Sequence, residues 1–233
     1  LLAIDTSTTA ITVAIHDGSA VLAEVTTLDA RAHAEHLAPN IVTALADARL
    51  QVADLTDVAV GIGPGPFTGL RVGIVTGRTL AFARGIPVHG VPSLDALAWE
   101  HWWTGARGPV LVATDARRKE VYWAAYLLTD QGIDRYAGPS VGRAGSLPEE
   151  VRGLPCVGRG ARLYAEALPH AVGPLDVSGG ALAALAVARL AAGVDLGDLE
   201  PIYLRRPDAV ASVPVVAPVM VPGVAEAPAG GSS

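Results

Sequence analysis

Two carboxylates occupy the same place in two similar stretches of the sequence, where a strand pattern runs into a polar turn. Asp5 ends the first strand pattern, and Asp115 ends a later one, 110 residues further along the chain. A pair of such turns can face a phosphate group with backbone amides while an aspartate orients a metal-bound water. This spacing therefore raises the possibility of phosphate or nucleotide chemistry.

The composition of the two turns argues against tight phosphate binding. Close approach of backbone to phosphate favours glycine, which adopts positive φ without strain. The first turn reads Thr-Ser-Thr-Thr and the second reads Ala-Arg-Arg-Lys, so neither contains glycine. Two interpretations stay open: polar side chains that only tie the local backbone, which we favour, or a weak nucleotide site. The residues of that weak site would be Asp5, Thr6, Ser7 and Arg117.

A glycine-rich stretch from Gly61 to Gly73 joins a short apolar strand to a helical pattern. A loop at a helix N-terminus is a setting in which backbone amides bind anions. This loop lacks the lysine of a P-loop and the spacing of a dinucleotide fingerprint. Gly69, Gly73 and Gly77, followed by Ala81, recur every four residues and share one helix face. Each helical glycine costs about 1 kcal/mol relative to alanine, so another backbone must approach this face, either within the chain or from a partner.

Other catalytic or metal-binding patterns find little support. His33 and His36 have a spacing that can converge on one metal ion, but no third ligand is evident, so we interpret them as a surface pair. Cys156 is the only cysteine, which excludes an internal disulfide. No Ser–His–Asp or Cys–His pattern indicates nucleophilic catalysis. We predict no catalytic residue and no metal ligand.

The elements around these residues alternate between strands and helices. Alternating apolar residues over Ile11–His16, followed by Asp17-Gly18, predict a hairpin. Helical periodicity is clear at Leu37, Ile41 and Leu45 and again from Thr68 to Arg84. Ser93 is the predicted N-cap of a further helix. The pattern indicates the α/β class.

A weak internal duplication divides the chain. A shift of 110 residues superposes Ala3 on Ala113 and Asp5 on Asp115, which indicates two similar lobes. We place an N-terminal α/β lobe at 1–105 and a second α/β lobe at 106–206. A tail rich in proline, alanine and glycine at 207–233 is predicted to be loosely held.

Composition and net charge argue against several classes of protein. The 233 residues are 51% hydrophobic and 17% charged, which excludes a wholly disordered chain. The net charge of −6 argues against a protein that holds nucleic acid alone, because such proteins carry a basic face. The longest charge-free stretch, 209–225, contains three prolines and does not suit a bilayer-spanning helix. We expect a cytoplasmic protein with no membrane contact.

Four segments together resemble the TsaB family. In chain order they are Leu2–Ser7, the glycine loop Gly63–Gly73, the strand end Asp115–Arg117 with the Glu120–Trp123 strand, and Pro201–Arg205. The resemblance spans about residues 1–206. It implies the actin/Hsp70/sugar-kinase (ASKHA) fold with two duplicated α/β lobes.

The resemblance also implies a function and partners. It indicates a non-catalytic scaffold or activator subunit of the bacterial complex that forms threonylcarbamoyladenosine on tRNAs reading ANN codons. The implied partners are the catalytic subunit TsaD and the ATPase TsaE, with a homodimer in isolation. We expect tRNA to bind only through the complex, and ATP to act through the complex, with no cofactor on this chain. The alternative is a small-molecule kinase or ATPase of the same fold.

Family features locate a pairing surface and explain the missing catalysis. In the family, the first two helices of the N-terminal lobe form the dimer surface. Carried onto this sequence, the interface residues are His33, Leu37, Ile41, Gly69, Gly73, Gly77 and Ala81. TsaD carries two metal-binding histidines four residues apart, and Ser93 and Leu97 fall at those positions here. The resemblance therefore implies a pseudo-enzyme.

Overall fold

Two mixed β-sheets and six helices make up the described part of the chain. The computed structural model describes residues 1–29 and 31–205. The strands are β1 Leu2–Asp5, β2 Ala10–His16, β3 Val21–Leu28, β4 Val58–Gly61, β5 Val88–Val91, β6 Gly108–Asp115, β7 Glu120–Thr129, β8 Gly132–Arg143 and β9 Cys156–Val157. The helices are α1 His33–Asp47, α2 Phe67–Arg84, α3 Ser93–Trp103, α4 Glu149–Arg152, α5 Arg159–Leu163 and α6 Gly179–Ala191.

The second sheet repeats the order of four strands of the first, which confirms the prediction of two similar α/β lobes. The first sheet has the order β3-β2-β1-β4-β5 and the second has β8-β7-β6-β9. In the first sheet, β1 is antiparallel to β2 and parallel to β4. In the second, β6 is likewise antiparallel to β7 and parallel to β9. This repeated topology agrees with the two duplicated α/β lobes that the resemblance implies. The boundaries at 105 and 206 stay a prediction, and the tail at 207–233 lies outside the described residues.

The predicted hairpin at Asp17-Gly18 is confirmed, and hydrogen bonds within the turn stabilise it. The Asp17 carboxylate accepts hydrogen bonds from the backbone amides of Ser19 and Ala20, at 2.7 and 2.8 Å. Gly18 has φ +103, a conformation that favours glycine. The turn therefore sets the register in which β2 pairs with β3.

The main core lies between the two sheets and contains α3 and α6. Ala3 of the first sheet, Leu94 of α3, Leu182 of α6 and Val112 of the second sheet belong to one buried cluster. Helix α6 packs on β1, β2 and β3, although its residues follow the second sheet in the chain. The two lobes are thus joined by a shared apolar layer.

The outer face of the first sheet is covered by α1 and α2. Ile4 and Val13 of the sheet pack against Leu37 of α1 and Leu70 of α2 in a second buried cluster. The predicted helical periodicity of α1 is confirmed, with Pro39 inside the helix on its exposed side. Among residues 1–29 and 31–205, no helix combines the length and the apolar character that crossing a lipid bilayer requires.

Candidate functional site

The turns after β1 and β6 face each other across a narrow cleft between the two sheets. The cleft is lined by Ser7, Thr8, Thr9, His33, Pro66, Thr114, Asp115, Arg117, Arg159, Leu175 and Asp176. Its cavity has a volume of ≈ 20 Å³. This volume suits about one water molecule.

Asp5, the first carboxylate that sequence reasoning singled out, does not reach the cleft. It is 0% exposed. One carboxylate oxygen accepts the Ser7 amide at 2.8 Å and the Ser7 hydroxyl at 2.7 Å, and the other accepts the Ser93 hydroxyl at 2.6 Å. Burial raises the pKa of Asp5, and the hydrogen bonds from Ser93 and Ser7 oppose this rise. Both carboxylate oxygens of Asp5 therefore accept hydrogen bonds from within the protein. Asp5 has a structural role and does not orient a metal-bound water.

Ser93 links three segments through its hydroxyl. It donates to Asp5 and accepts the Gly63 amide at 3.1 Å, which ties the end of β1 to the glycine loop. The prediction that Ser93 is an N-cap is wrong, because Pro92 takes that position and Ser93 is the first helical residue. Gly61 is required beside this link, because a side chain there would collide with the Asp5 carboxylate.

Thr6 is also turned away from the cleft, into the glycine face of α2. Its hydroxyl donates to the Gly69 carbonyl oxygen at 2.8 Å and accepts the Gly73 amide at 3.1 Å. A Cβ at Gly69 would meet the Thr6 carbonyl oxygen, and one at Gly73 would meet the Thr6 hydroxyl. The glycines thus admit the first turn to the surface of the helix.

The prediction that the glycine face contacts a partner is therefore wrong. A Cβ at Gly77 would meet the side chain of Val60 in the chain's own sheet. All seven residues predicted for the interface are buried inside the protein, because the faces of α1 and α2 that carry them pack on the first sheet. They are His33, Leu37, Ile41, Gly69, Gly73, Gly77 and Ala81. His33 is also not a surface histidine, because it is buried, and its Nε2 lies 3.2 Å from the Thr8 carbonyl oxygen.

The second turn holds three consecutive side-chain-bearing residues at positive φ. Arg117, Arg118 and Lys119 have φ of 60, 52 and 61. This region costs roughly 1 kcal/mol or more for each non-glycine residue. The Asp115 carboxylate accepts the Arg117 amide at 2.8 Å and pairs with the Arg117 guanidinium at 3.2 Å. Hydrogen bonds within the turn therefore stabilise it, and the Asp115 carboxylate neutralises the charge of Arg117.

The C-terminal part of the described chain supports the same turn. Arg205 donates to the Ala116 carbonyl oxygen at 3.0 Å and forms an ion pair with Glu120. Pro201–Arg205, one of the four segments of the resemblance, thus contacts another of them.

The far wall of the cleft is closed by an ion pair that sequence reasoning missed. Arg159 of α5 holds Asp176 through three hydrogen bonds of 2.6–2.9 Å. The Thr114 hydroxyl is buried at the cavity wall and has no hydrogen-bond partner in the described protein. Arg159 and Asp176 lie 17 residues apart in an irregular part of the chain, and no periodicity or motif marks them.

The residues present do not fit a bound nucleotide or a TsaD-like metal. The cavity accommodates about one water molecule, Asp5 and Thr6 are bonded internally, and only Ser7 and Arg117 of the predicted weak site line the cleft. Leu97, one of the two positions at which the resemblance would place a metal-binding histidine, is 0% exposed in the apolar core. Within the described part of the chain, no three His, Cys, Asp or Glu side chains lie close enough to hold a metal ion.

Comparison with known proteins identifies the relatives of this arrangement. Residues 20–223 match the family model described as TsaD: tRNA N6-adenosine threonylcarbamoyltransferase. An uncharacterized protein of Mycobacterium tuberculosis is 47% identical over 217 residues, which are 90% of this chain and 93% of that protein. The tRNA threonylcarbamoyladenosine biosynthesis protein TsaB of Escherichia coli is 38% identical over 133 residues, 57% of each chain. The chain belongs to the TsaB family.

A solved structure supports this assignment. YeaZ from Pseudomonas aeruginosa matches with a TM-score of 0.71 and 31% identity, over 87% of this chain and 99% of that chain. A second Pseudomonas aeruginosa structure, described as similar to the peptidase YeaZ, has a TM-score of 0.73. The resemblance to the TsaB family stated from four sequence segments is confirmed.

Proposed function

We propose that this TsaB-family chain is a non-catalytic subunit of the cytoplasmic machinery that forms threonylcarbamoyladenosine on tRNAs reading ANN codons. In this proposal it pairs with a TsaD homologue, works with a TsaE homologue, and requires no cofactor of its own. The observation that carries the proposal is the buried Asp5 carboxylate, whose two oxygens are both bonded within the protein.

The chemistry of the cleft supports a non-catalytic role. An aspartate that orients a metal-bound water needs at least one oxygen directed at the substrate, and Asp5 offers none. Phosphate binding by turn backbone needs close approach, and the side chains of Arg117, Arg118 and Lys119 occupy the second turn instead. ATP would therefore act through the partner subunits.

The outward faces of α1 and α2 support pairing, although the glycine face does not. Val42 of α1 is 67% exposed, and Val75 and Phe82 of α2 are 60% and 88% exposed. Ala34 and Ala38 continue the exposed face of α1 with small side chains that allow close approach. Large exposed apolar side chains grouped on two adjacent helices mark a protein contact. We place the TsaD contact, and self-pairing in its absence, on this surface.

Variants of the outward face test the pairing. Val75→Asp places a charge in the proposed contact, and burying an unpaired charge or losing a central apolar contact costs about 2 kcal/mol or more. Affinity for the TsaD homologue should fall by roughly 30-fold or more. Val194→Asp is the matched control, because Val194 is 46% exposed in the loop after α6 and should pair normally. Affinity is measured by calorimetry with TsaD from the same organism.

The opposite result would remove the pairing proposal. If Val75→Asp and Phe82→Asp both pair with TsaD as the wild type does, this surface is not the contact. The kinase alternative is tested separately by titrating the purified chain with ATP and magnesium. Tight binding with turnover would refute the non-catalytic role, whereas the cleft geometry predicts neither.

A further inference from the structure

A groove on the second lobe collects cations from three separate elements. Its volume is ≈ 380 Å³, far more than the cleft between the sheets offers. Lys119 comes from the turn between β6 and β7, Arg143 from the end of β8, and Arg162 from α5. Glu166 is the one acidic residue of the lining, which also includes Tyr164. The lining therefore carries a net positive charge in a chain whose net charge is −6.

The three cations have no charged partner within the described residues. Lys119, Arg143 and Arg162 are exposed, and no side-chain hydrogen bond or ion pair to them is found in residues 1–29 and 31–205. Other arginines of the same lobe are paired: Arg107 with Asp130, and Arg159 with Asp176. Ion pairs therefore neutralise several basic residues of this lobe but none of the three in the groove.

The net charge of the chain conceals this distribution. Residues 1–105 contain five basic and ten acidic residues, whereas residues 106–205 contain eleven of each. The excess negative charge thus lies in the first half, and the second half is neutral. Because counterions respond to the local arrangement of charge, a basic groove on a neutral lobe attracts polyanions. The net charge of −6 therefore does not exclude direct tRNA binding by this lobe.

We propose that the groove formed by Lys119, Arg143 and Arg162 binds the phosphate backbone of the tRNA substrate. This proposal rests on the proposed function, since it names tRNA as the polyanion. Guanidinium groups suit phosphate because they donate two parallel hydrogen bonds. Tyr164 borders the same groove and offers an aromatic surface on which an unpaired base stacks. The subunit thus contributes a direct RNA contact to the complex.

The test compares charge-removing and charge-keeping variants. The double variant Arg143→Ala with Arg162→Ala removes two exposed cations, and Arg143→Lys with Arg162→Lys keeps their charge. The control is the double variant Arg49→Ala with Arg107→Ala, which removes two positive charges outside the groove. Arg49 follows α1, and Arg107 lies at the opposite end of β6 from Lys119. The probe is an unmodified tRNA transcript with an ANN-reading anticodon, titrated with the chain alone and with its TsaD complex. Fluorescence anisotropy gives the Kd at several salt concentrations.

The expected result follows from counterion release. Each phosphate contact contributes a factor of about five to eight at roughly 0.1 M salt. The alanine variant should bind tRNA about 30-fold more weakly, with a salt slope smaller by about 1.5, whereas the lysine variant and the control retain most of the affinity. Unchanged affinity and slope in the alanine variant would overturn the proposal. So would a loss of TsaD pairing with tRNA binding intact, because the groove would then hold a protein.

The same samples separate this proposal from the proposed function. Pairing with TsaD is measured for every variant. If the wild type fails to pair with TsaD, the proposed function fails, whatever the tRNA affinity of the groove. If pairing is normal and the tRNA affinity of the alanine variant is unchanged, only the groove proposal fails.

Discussion

Replacement of Gly73 by alanine tests whether the glycine face of α2 packs inside the protein. The added Cβ collides with the Thr6 hydroxyl, which bonds the Gly69 carbonyl oxygen and the Gly73 amide. Overpacking costs about 1–3 kcal/mol, and loss of two buried hydrogen bonds costs about 1 kcal/mol each. Alanine returns about 1 kcal/mol of helix propensity. We expect Gly73→Ala to lower the free energy of unfolding by about 2 to 4 kcal/mol.

A double-mutant cycle isolates the contact. With Thr6→Ala in place, the nearest atom to the new methyl group is the residue 6 Cβ at 3.5 Å, an ordinary contact. Gly73→Ala should then be neutral or stabilise the protein by up to about 1 kcal/mol. The cycle should therefore show a coupling energy of about 3 kcal/mol between the two positions.

Urea denaturation followed by circular dichroism gives the free energies for the cycle. Gly153→Ala is the control, because no atom lies within 4 Å of a Cβ there and its φ is −82. The reasoning would be refuted if Gly73→Ala leaves stability unchanged and instead abolishes pairing with TsaD. In that case the glycine face would contact the partner, as sequence reasoning allowed.

Two further predictions follow from ionisable groups that are partly or fully buried. Burial and the nearby Glu24 raise the pKa of Glu100 from 4.5 to about 7, so this carboxyl stabilises the fold when protonated. Its contribution to the free energy of unfolding is complete below about pH 4.5 and is lost as the pH rises through about 7. Over that range the free energy of unfolding should fall by about 1 to 2 kcal/mol, a figure reduced because the side chain is partly exposed. Urea denaturation of Glu100→Gln should show no such fall, while the exposed control Glu35→Gln should retain it. Burial raises the pKa of Cys156 to about 12, so native protein should resist iodoacetamide near pH 8 until urea unfolds it, and rapid alkylation of folded protein would contradict the buried position.

The general architecture was accessible from the sequence because local patterns carry it. Alternating apolar residues and the Asp17-Gly18 turn predicted the first hairpin, and the repeat of Asp5 at Asp115 predicted the shared topology of the two sheets. These signals depend on neighbours within a few residues or on a match of one segment to another. They required no knowledge of tertiary contacts.

The sequence did not show what the glycine face of α2 contacts, because the spacing of the glycines indicates only that another part of a protein packs closely against it. What approaches is Thr6, 67 residues from Gly73, and no local pattern connects the two. The bond from Ser93 to Asp5 spans 88 residues and was missed for the same reason. The residues predicted for pairing therefore lie on faces of α1 and α2 that are buried in this chain.

The groove on the second lobe was missed for a different reason. Lys119, Arg143 and Arg162 are spread over 44 positions of sequence and belong to three elements. The net charge of the chain averages over both lobes and hides their proximity. Only the tertiary arrangement brings the three side chains to one surface.

The central claim is that the cleft is inactive and that the outward faces of α1 and α2 carry the function. The most direct measurement is threonylcarbamoyladenosine formation on a tRNA transcript by the reconstituted complex containing different variants of this chain. For the double variant Thr9→Ala with Arg117→Ala, which alters the cleft, the account predicts threonylcarbamoyladenosine formation at close to the wild-type rate. With Val75→Asp it predicts a loss that follows the loss of TsaD pairing. Loss of formation in the cleft variant together with normal formation in Val75→Asp would contradict the account.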